Sequence, residues 1–252
     1  MSADPLAPLM DLPGVAVASD RAREALSRAH RHRANLRGWP VSAAEAAMRA
    51  ARASSVLDGG SSSKPEDPSE DSTASTVLAG ALRVAQALEG GETSLVGVWR
   101  RAPLQALARL HMLAATGQVD EDRLGRPRSD GHVAPRLELL ADLVTGATRA
   151  PAPVLAAVVH GELLTLAPFG SADGVVARGV SRLVSIASGL DPHGLGVPEV
   201  AWMRRAADYR AAARGFATGS PEGLRTWLLL CCRAMYAGAQ EALQIAESLP
   251  SR

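Results

Sequence analysis

Aromatic side chains are scarce in this 252-residue chain, which has two Phe, two Tyr and four Trp. That scarcity argues against a β-sandwich or another aromatic-rich sheet core. Disulfide cross-linking is lacking too: the only cysteines, Cys231 and Cys232, are adjacent, and neighbours on a helix cannot easily bridge. A surplus of one charge is also missing. Twenty-seven basic and 26 acidic residues leave a formal charge of +1, so nothing is available to neutralise a phosphate backbone, and nucleic acid is excluded as the main partner. Lys64 is the sole lysine, an arginine bias of the kind a GC-rich genome produces. Met1 to Asp20 has no basic patch followed by an apolar run, and no later stretch approaches the roughly 18 apolar residues of a membrane span. The expectation is a reduced, cytoplasmic, soluble protein with no membrane partner.

Ala, Leu and Val make up most of the 47% hydrophobic content, which favours close helix packing. The fold class expected is all-α. Pro5, Pro8 and Pro13 suggest an extended, flexible arm over residues 1–19, and a helix from Asp20 to Leu36 ended by Trp39 and Pro40. Ser42 and Glu45 form a Ser-x-x-Glu capping box that opens an Ala-rich helix stopping near Gly59 and Gly60. Residues 59–76 are Ser, Pro, Glu and Asp with little to bury, as expected of a disordered acidic loop. Helical spacing resumes over 77–88 and 103–115, and Gly125 to Gly131 carries turn chemistry suited to a short β-hairpin flap. Pro151 and Pro153 suit the first turn of an apolar helix running to Leu166. A loop to Asp173 and a second helix from Gly174 to Ser188 follow. Two or three further helices precede a tail at 246–252.

A loop entering a helix N-terminus is a natural anion site, because free amides and the helix dipole both face the ligand. Here the loop reads Ala167, Pro168, Phe169, Gly170, Ser171, Ala172, Asp173, Gly174, Val175, Val176, Ala177, Arg178. The string resembles the motif H-x-F-x-[DE]-G-N-G-R-x-x-R of the Fic (Fido) family in Phe169, Gly174 and Arg178, with Pro168 the family's usual choice. The flanks are similar as well: His160 lies seven residues before Ala167, Leu110 and His111 precede Gly125 and Arg128, and Asp208, Tyr209 and Trp227 follow. Ser54, Ser55, Val56, Leu57, Asp58 and Gly59 resemble the family's inhibitory motif, [ST]-x-x-x-E-[GN], with Asp in place of Glu. The resemblance spans about residues 20–245 and implies a Fic-like helical domain in which Asp58 pairs with Arg178.

Fic enzymes move AMP from ATP to a protein hydroxyl, and the resemblance places Ala167 where their histidine serves as base. A methyl group accepts no proton, and losing a positioned base costs roughly 10²–10⁴ in rate. Ser171 stands where the family's acid would hold Mg²⁺, and a hydroxyl is a poor ligand for that ion. Val175 replaces an arginine fork for phosphate oxygens. Asp173 replaces the asparagine and puts negative charge where phosphates would lie. Gly174 and Arg178 are the residues left for binding an anion. Neither ATP nor Mg²⁺ nor any other cofactor or metal is therefore expected.

The remaining histidines carry no metal pattern. His30 and His32 lie two apart, unlike an i, i+4 pair, and read as solvent-facing, whereas His111 and His160 read as hydrogen-bonded core residues. Gly194-Leu195-Gly196 lacks the rest of a dinucleotide fingerprint. The expectation is a catalytically inactive Fic-fold pseudoenzyme that binds an unknown protein partner by strand addition at the flap, Gly125 to Gly131. A homo-oligomer is compatible with it. The alternative is a residual AMP transferase with a base outside the motif, such as His160, autoinhibited by Asp58 and Arg178.

Overall fold

A computed structural model describes residues 4–63, 73–89 and 95–248. Its helices are α1 (Ala7–Met10), α2 (Val15–Arg31), α3 (Asn35–Leu57), α4 (Thr73–Ala87), α5 (Leu95–Arg101) and α6 (Pro103–Ala115). They continue with α7 (Val133–Asp142), α8 (Ala152–Leu166), α9 (Asp173–Ala187), α10 (Pro198–Arg204), α11 (Ala206–Ala217) and α12 (Pro221–Ser248). The architecture is all-α, as the composition requires.

The N-terminal arm is not extended. Pro8 lies in the first turn of α1, where a missing amide costs nothing, and Gly14 at φ 84° caps α2 five residues before the expected start. Leu6 and Val15 are buried, and Asp4 accepts hydrogen bonds from Leu6 N, Thr148 Oγ1 and Arg149 N, which fasten the segment to the body. Nor do Trp39 and Pro40 end a helix. α2 stops at Arg31, and α3 runs straight through Pro40. Leu36, whose carbonyl forgoes the helical bond there, is 65% exposed and reachable by water. The Ser42 and Glu45 capping box does not form either. The Ser42 hydroxyl donates to Asn35 Oδ1 (2.7 Å), Asn35 Nδ2 donates to Ala29 O (2.8 Å), and Glu45 pairs with Arg49. Tertiary bonds have taken the groups a cap would use.

Most of the expected acidic loop, 64–72, lies outside the described residues, but at its far end α4 has already begun at Thr73. α12 continues to Ser248, past the expected start of the tail at 246. No β-hairpin flap forms among the described residues: Gly125 to Gly131 is irregular, and the one bridge joins Thr116 to Val119.

α8 and α9 pack against each other at the centre, with α12 lying along α2 and α8. α8 is apolar on nearly every side, as a central helix must be. Gly161 admits Trp227 and Phe216 to its flank: a Cβ there would lie 2.7 Å from Trp227 Nε1, which donates to Ala157 O at 2.8 Å. No helix of the described residues is long and apolar enough to cross a membrane.

Candidate functional site

α8 ends in Ala167 at φ 42° and α9 begins after Ala172 at φ 51°, so two non-glycine residues in left-handed conformation bracket the loop. Each costs about 1–2 kcal/mol relative to a right-handed residue, a strain the surroundings must hold. Arg128 holds one end. Its amide donates to Pro168 O (2.7 Å), and its guanidinium donates to Ala167 O (3.0 Å) and Leu166 O (2.9 Å), carbonyls at the end of α8 left without helical partners. Asp173 holds the other, accepting from Phe169 N at 3.0 Å. Burial raises the Asp173 carboxyl to about 6, against the pull of the Phe169 and Gly170 amides and of the Arg128 charge.

His111 forms the wall beside the loop. Its ring stacks on Phe169 with centroids 4.0 Å apart, and its Nδ1 accepts the Gly125 amide at 2.9 Å. Because Nδ1 accepts, the ring proton sits on Nε2 and is donated to Ser171 Oγ at 3.1 Å. That direction leaves Ser171 unactivated, so the two are not a nucleophile and base. Burial lowers the His111 pKa to about 4, which keeps the ring neutral.

Arg178 lies one turn into α9, about 2% exposed, among groups from across the chain. Nη2 pairs with Asp58 Oδ1 (2.8 Å) and donates to Ser54 O (3.0 Å), Nε donates to Ser54 Oγ (2.8 Å), and Nη1 reaches Tyr209 Oη (3.5 Å). Burial alone would lower the pKa of Arg178, but Asp58 and Tyr209 more than offset it and keep the guanidinium charged. The Asp58 carboxylate also presses on the first turn of α9: a Cβ on Gly174 would lie 2.4 and 2.5 Å from its two oxygens. The position an anion would take at this helix N-terminus is therefore filled by a side chain of the protein itself.

Ser54, Asp58, Gly174 and Arg178 thus meet at one point, with Gly59 directly after the acid at φ 80°. Ala167, Phe169, Ser171 and Asp173 line the loop, while Val175 points into the core at 2% exposure. His160 is fully buried, bonded through Nε2 to Tyr209 Oη (2.8 Å), and held well below its ordinary pKa by burial and by Arg178. Among the described residues no group of three or more His, Cys, Asp or Glu could hold a metal ion.

A second polar cluster escaped the sequence. His30 is not solvent-facing: its Nε2 contacts Asp191 Oδ1 at 2.8 Å, and Asp191 also accepts the Leu195 and Gly196 amides at 2.8 Å each. Arg182 is buried beside it, bonded to the Gly194 and Gly196 carbonyls and 3.6 Å from Glu199. No spacing rule links residues 30, 182 and 191; only the i, i+4 relation of Arg178 and Arg182 was available to suggest that both face inward.

No family model and no curated protein matches this chain. Among solved structures, a crystal structure of a Fic family protein from Desulfovibrio desulfuricans G20 resembles it with a TM-score of 0.67 at 17% sequence identity, over 95% of this chain and 77% of that one. The chain has a Fic-type helical fold.

Proposed function

We propose that this Fic-fold protein transfers no nucleotide and acts by binding another protein. The observation that carries the reading is the Asp58 carboxylate, set between Arg178 and Gly174, with a methyl group at Ala167 where the family's base would stand. Phosphate oxygens need a free arginine fork and open amides at the start of α9. Arg178 is committed to Ser54, Asp58 and Tyr209, and Asp173 adds a second carboxyl to the same turn. ATP and Mg²⁺ are accordingly not ligands of this loop. Ser54, Asp58 and Gly59 keep the form of the inhibitory motif as a structural tie between α3 and α9. The irregular segment from Gly125 to Gly131 is the docking edge, exposed from Arg126 to His132 and anchored through Arg128 to the end of α8. The protein works in the cytoplasm, where Cys231 and Cys232 stay reduced.

The competing reading is an autoinhibited AMP transferase, favoured by the 25% exposure of the Asp58 side chain, which leaves the tie a way to open. Incubation of the purified protein with α-labelled ATP, Mg²⁺ and cell lysate separates the two. No labelled protein is expected; label that appears only when the protein is added, and that rises in Asp58→Ala, establishes the transferase.

A further inference from the structure

The outward face of α3 reverses the ordinary pattern of a surface helix, in which charged and polar residues meet water. Leu36, Pro40, Ala44 and Met48 recur at four-residue intervals along one exposed row, and Val41 lies beside it. Leu36, Val41 and Met48 are 65%, 53% and 39% exposed, so three large apolar side chains stand in solvent on a single helix. The exposed polar residues of α3 are Arg37 and Arg52, toward the two ends of the face and about 22 Å apart at the helical rise. Neither has a hydrogen bond or ion pair among the described residues. Glu45, the only acid within α3, is held by Arg49 at 2.7 Å.

Positive charge continues past the start of this helix. Between Glu24 and Glu45 the chain carries Arg28, Arg31, Arg33 and Arg37, all exposed, and no acid, although the whole chain is close to neutral at +1. Arginines clustered on a helix with an exposed apolar face suit an anionic lipid surface, where guanidinium groups meet phosphates and apolar side chains enter the acyl boundary. A second copy of this chain does not suit it: two such faces would set Arg37 against Arg37 or against Arg52. A nucleic acid backbone would engage the arginines and leave Leu36, Val41 and Met48 in water. An acidic protein segment would have to match cations spread over more than about 22 Å, whereas a lipid surface meets them at any spacing. No helix of the described residues is long and apolar enough to cross a membrane, but a helix lying along one needs only a single apolar face. We propose that α3 lies along the surface of an anionic bilayer, with Leu36, Val41 and Met48 inserted among the headgroups and Arg28, Arg31, Arg33, Arg37 and Arg52 on lipid phosphates.

The test is sedimentation of the full chain with vesicles of phosphatidylcholine alone and of phosphatidylcholine with about one-third phosphatidylglycerol. Binding is expected to the mixed vesicles only, and to weaken as salt screens the arginines. Arg33→Gln and Arg37→Gln should each lower the affinity about fivefold. Leu36→Ser combined with Val41→Ser should lower it by about tenfold at unchanged charge, through the lost apolar insertion. All four positions are exposed, and unchanged thermal melting checks that the variants fold. Absence of sedimentation, equal binding to phosphatidylcholine alone, or binding that the serine pair leaves untouched would each overturn the proposal. Retention on immobilised polyglutamate without vesicle binding would overturn it too, and would assign the face to an acidic protein.

Discussion

Arg178 and Arg182 stand one turn apart on α9, both buried, yet they are held in different ways. Arg178 is bound by side chains as well as backbone: Ser54, Asp58 and Tyr209 come from α3 and α11. Arg182 is bound mainly by the backbone of the loop before α10, through the Gly194 and Gly196 carbonyls, with Glu199 at a longer 3.6 Å. One arginine joins helices and the other shapes a loop. Buried guanidinium groups need their donors filled wherever they lie, so burial of an arginine by itself does not mark an anion site.

The difference can be broken at the stronger end first. Arg178→Met removes the hub while leaving Asp58, Ser54 and Tyr209 around it, and loss of a buried partner of this kind costs about 3–5 kcal/mol. A urea unfolding midpoint equal to wild type would remove the tie from the account. Asp191→Ala withdraws the acceptor from the Leu195 and Gly196 amides and from His30, and should cost about 2–4 kcal/mol by the same measurement. That contribution depends on pH. Burial raises the Asp191 carboxyl, but His30, Arg182 and the Gly196 amide together hold it below 3.8. Its stabilisation is therefore complete above the unfolded value of 3.8 and is lost as pH falls through the lower folded value. Asp191→Asn should flatten the wild-type fall in stability below pH 3.8. The smallest effect is expected at Glu199, whose Oε2 has no hydrogen bond and whose pKa is raised by burial; Glu199→Gln should shift stability by less than about 1 kcal/mol.

Legibility followed the range of the interactions. The helical class, the α8 and α9 boundaries and the all-apolar character of α8 depend on local spacing and on proline placement, and these can be read directly. The meeting of Asp58 with Arg178 came from resemblance, and no local rule would have joined residues 120 apart. Failures fell where a distant partner outbid a local signal. Ser42 gives its hydroxyl to Asn35, Pro40 sits inside α3, and Leu6 and Val15 bury an N-terminal segment whose prolines suggested an extended arm. The flap failed for a related reason. Turn residues were present, but Arg128 donates its amide and side chain to the end of α8 instead of to a second strand.

Calorimetric titration of Mg·ATP into the wild-type protein and into Asp58→Ala tests the central claim, that the loop no longer forms a nucleotide cradle. No binding to either form is predicted, because Ala167 offers only a methyl, Ser171 a neutral hydroxyl and Val175 an alkyl group, and removing Asp58 changes none of them. Micromolar binding to wild type, or its appearance in Asp58→Ala, would contradict the account and identify Asp58 as the inhibitor of a working site.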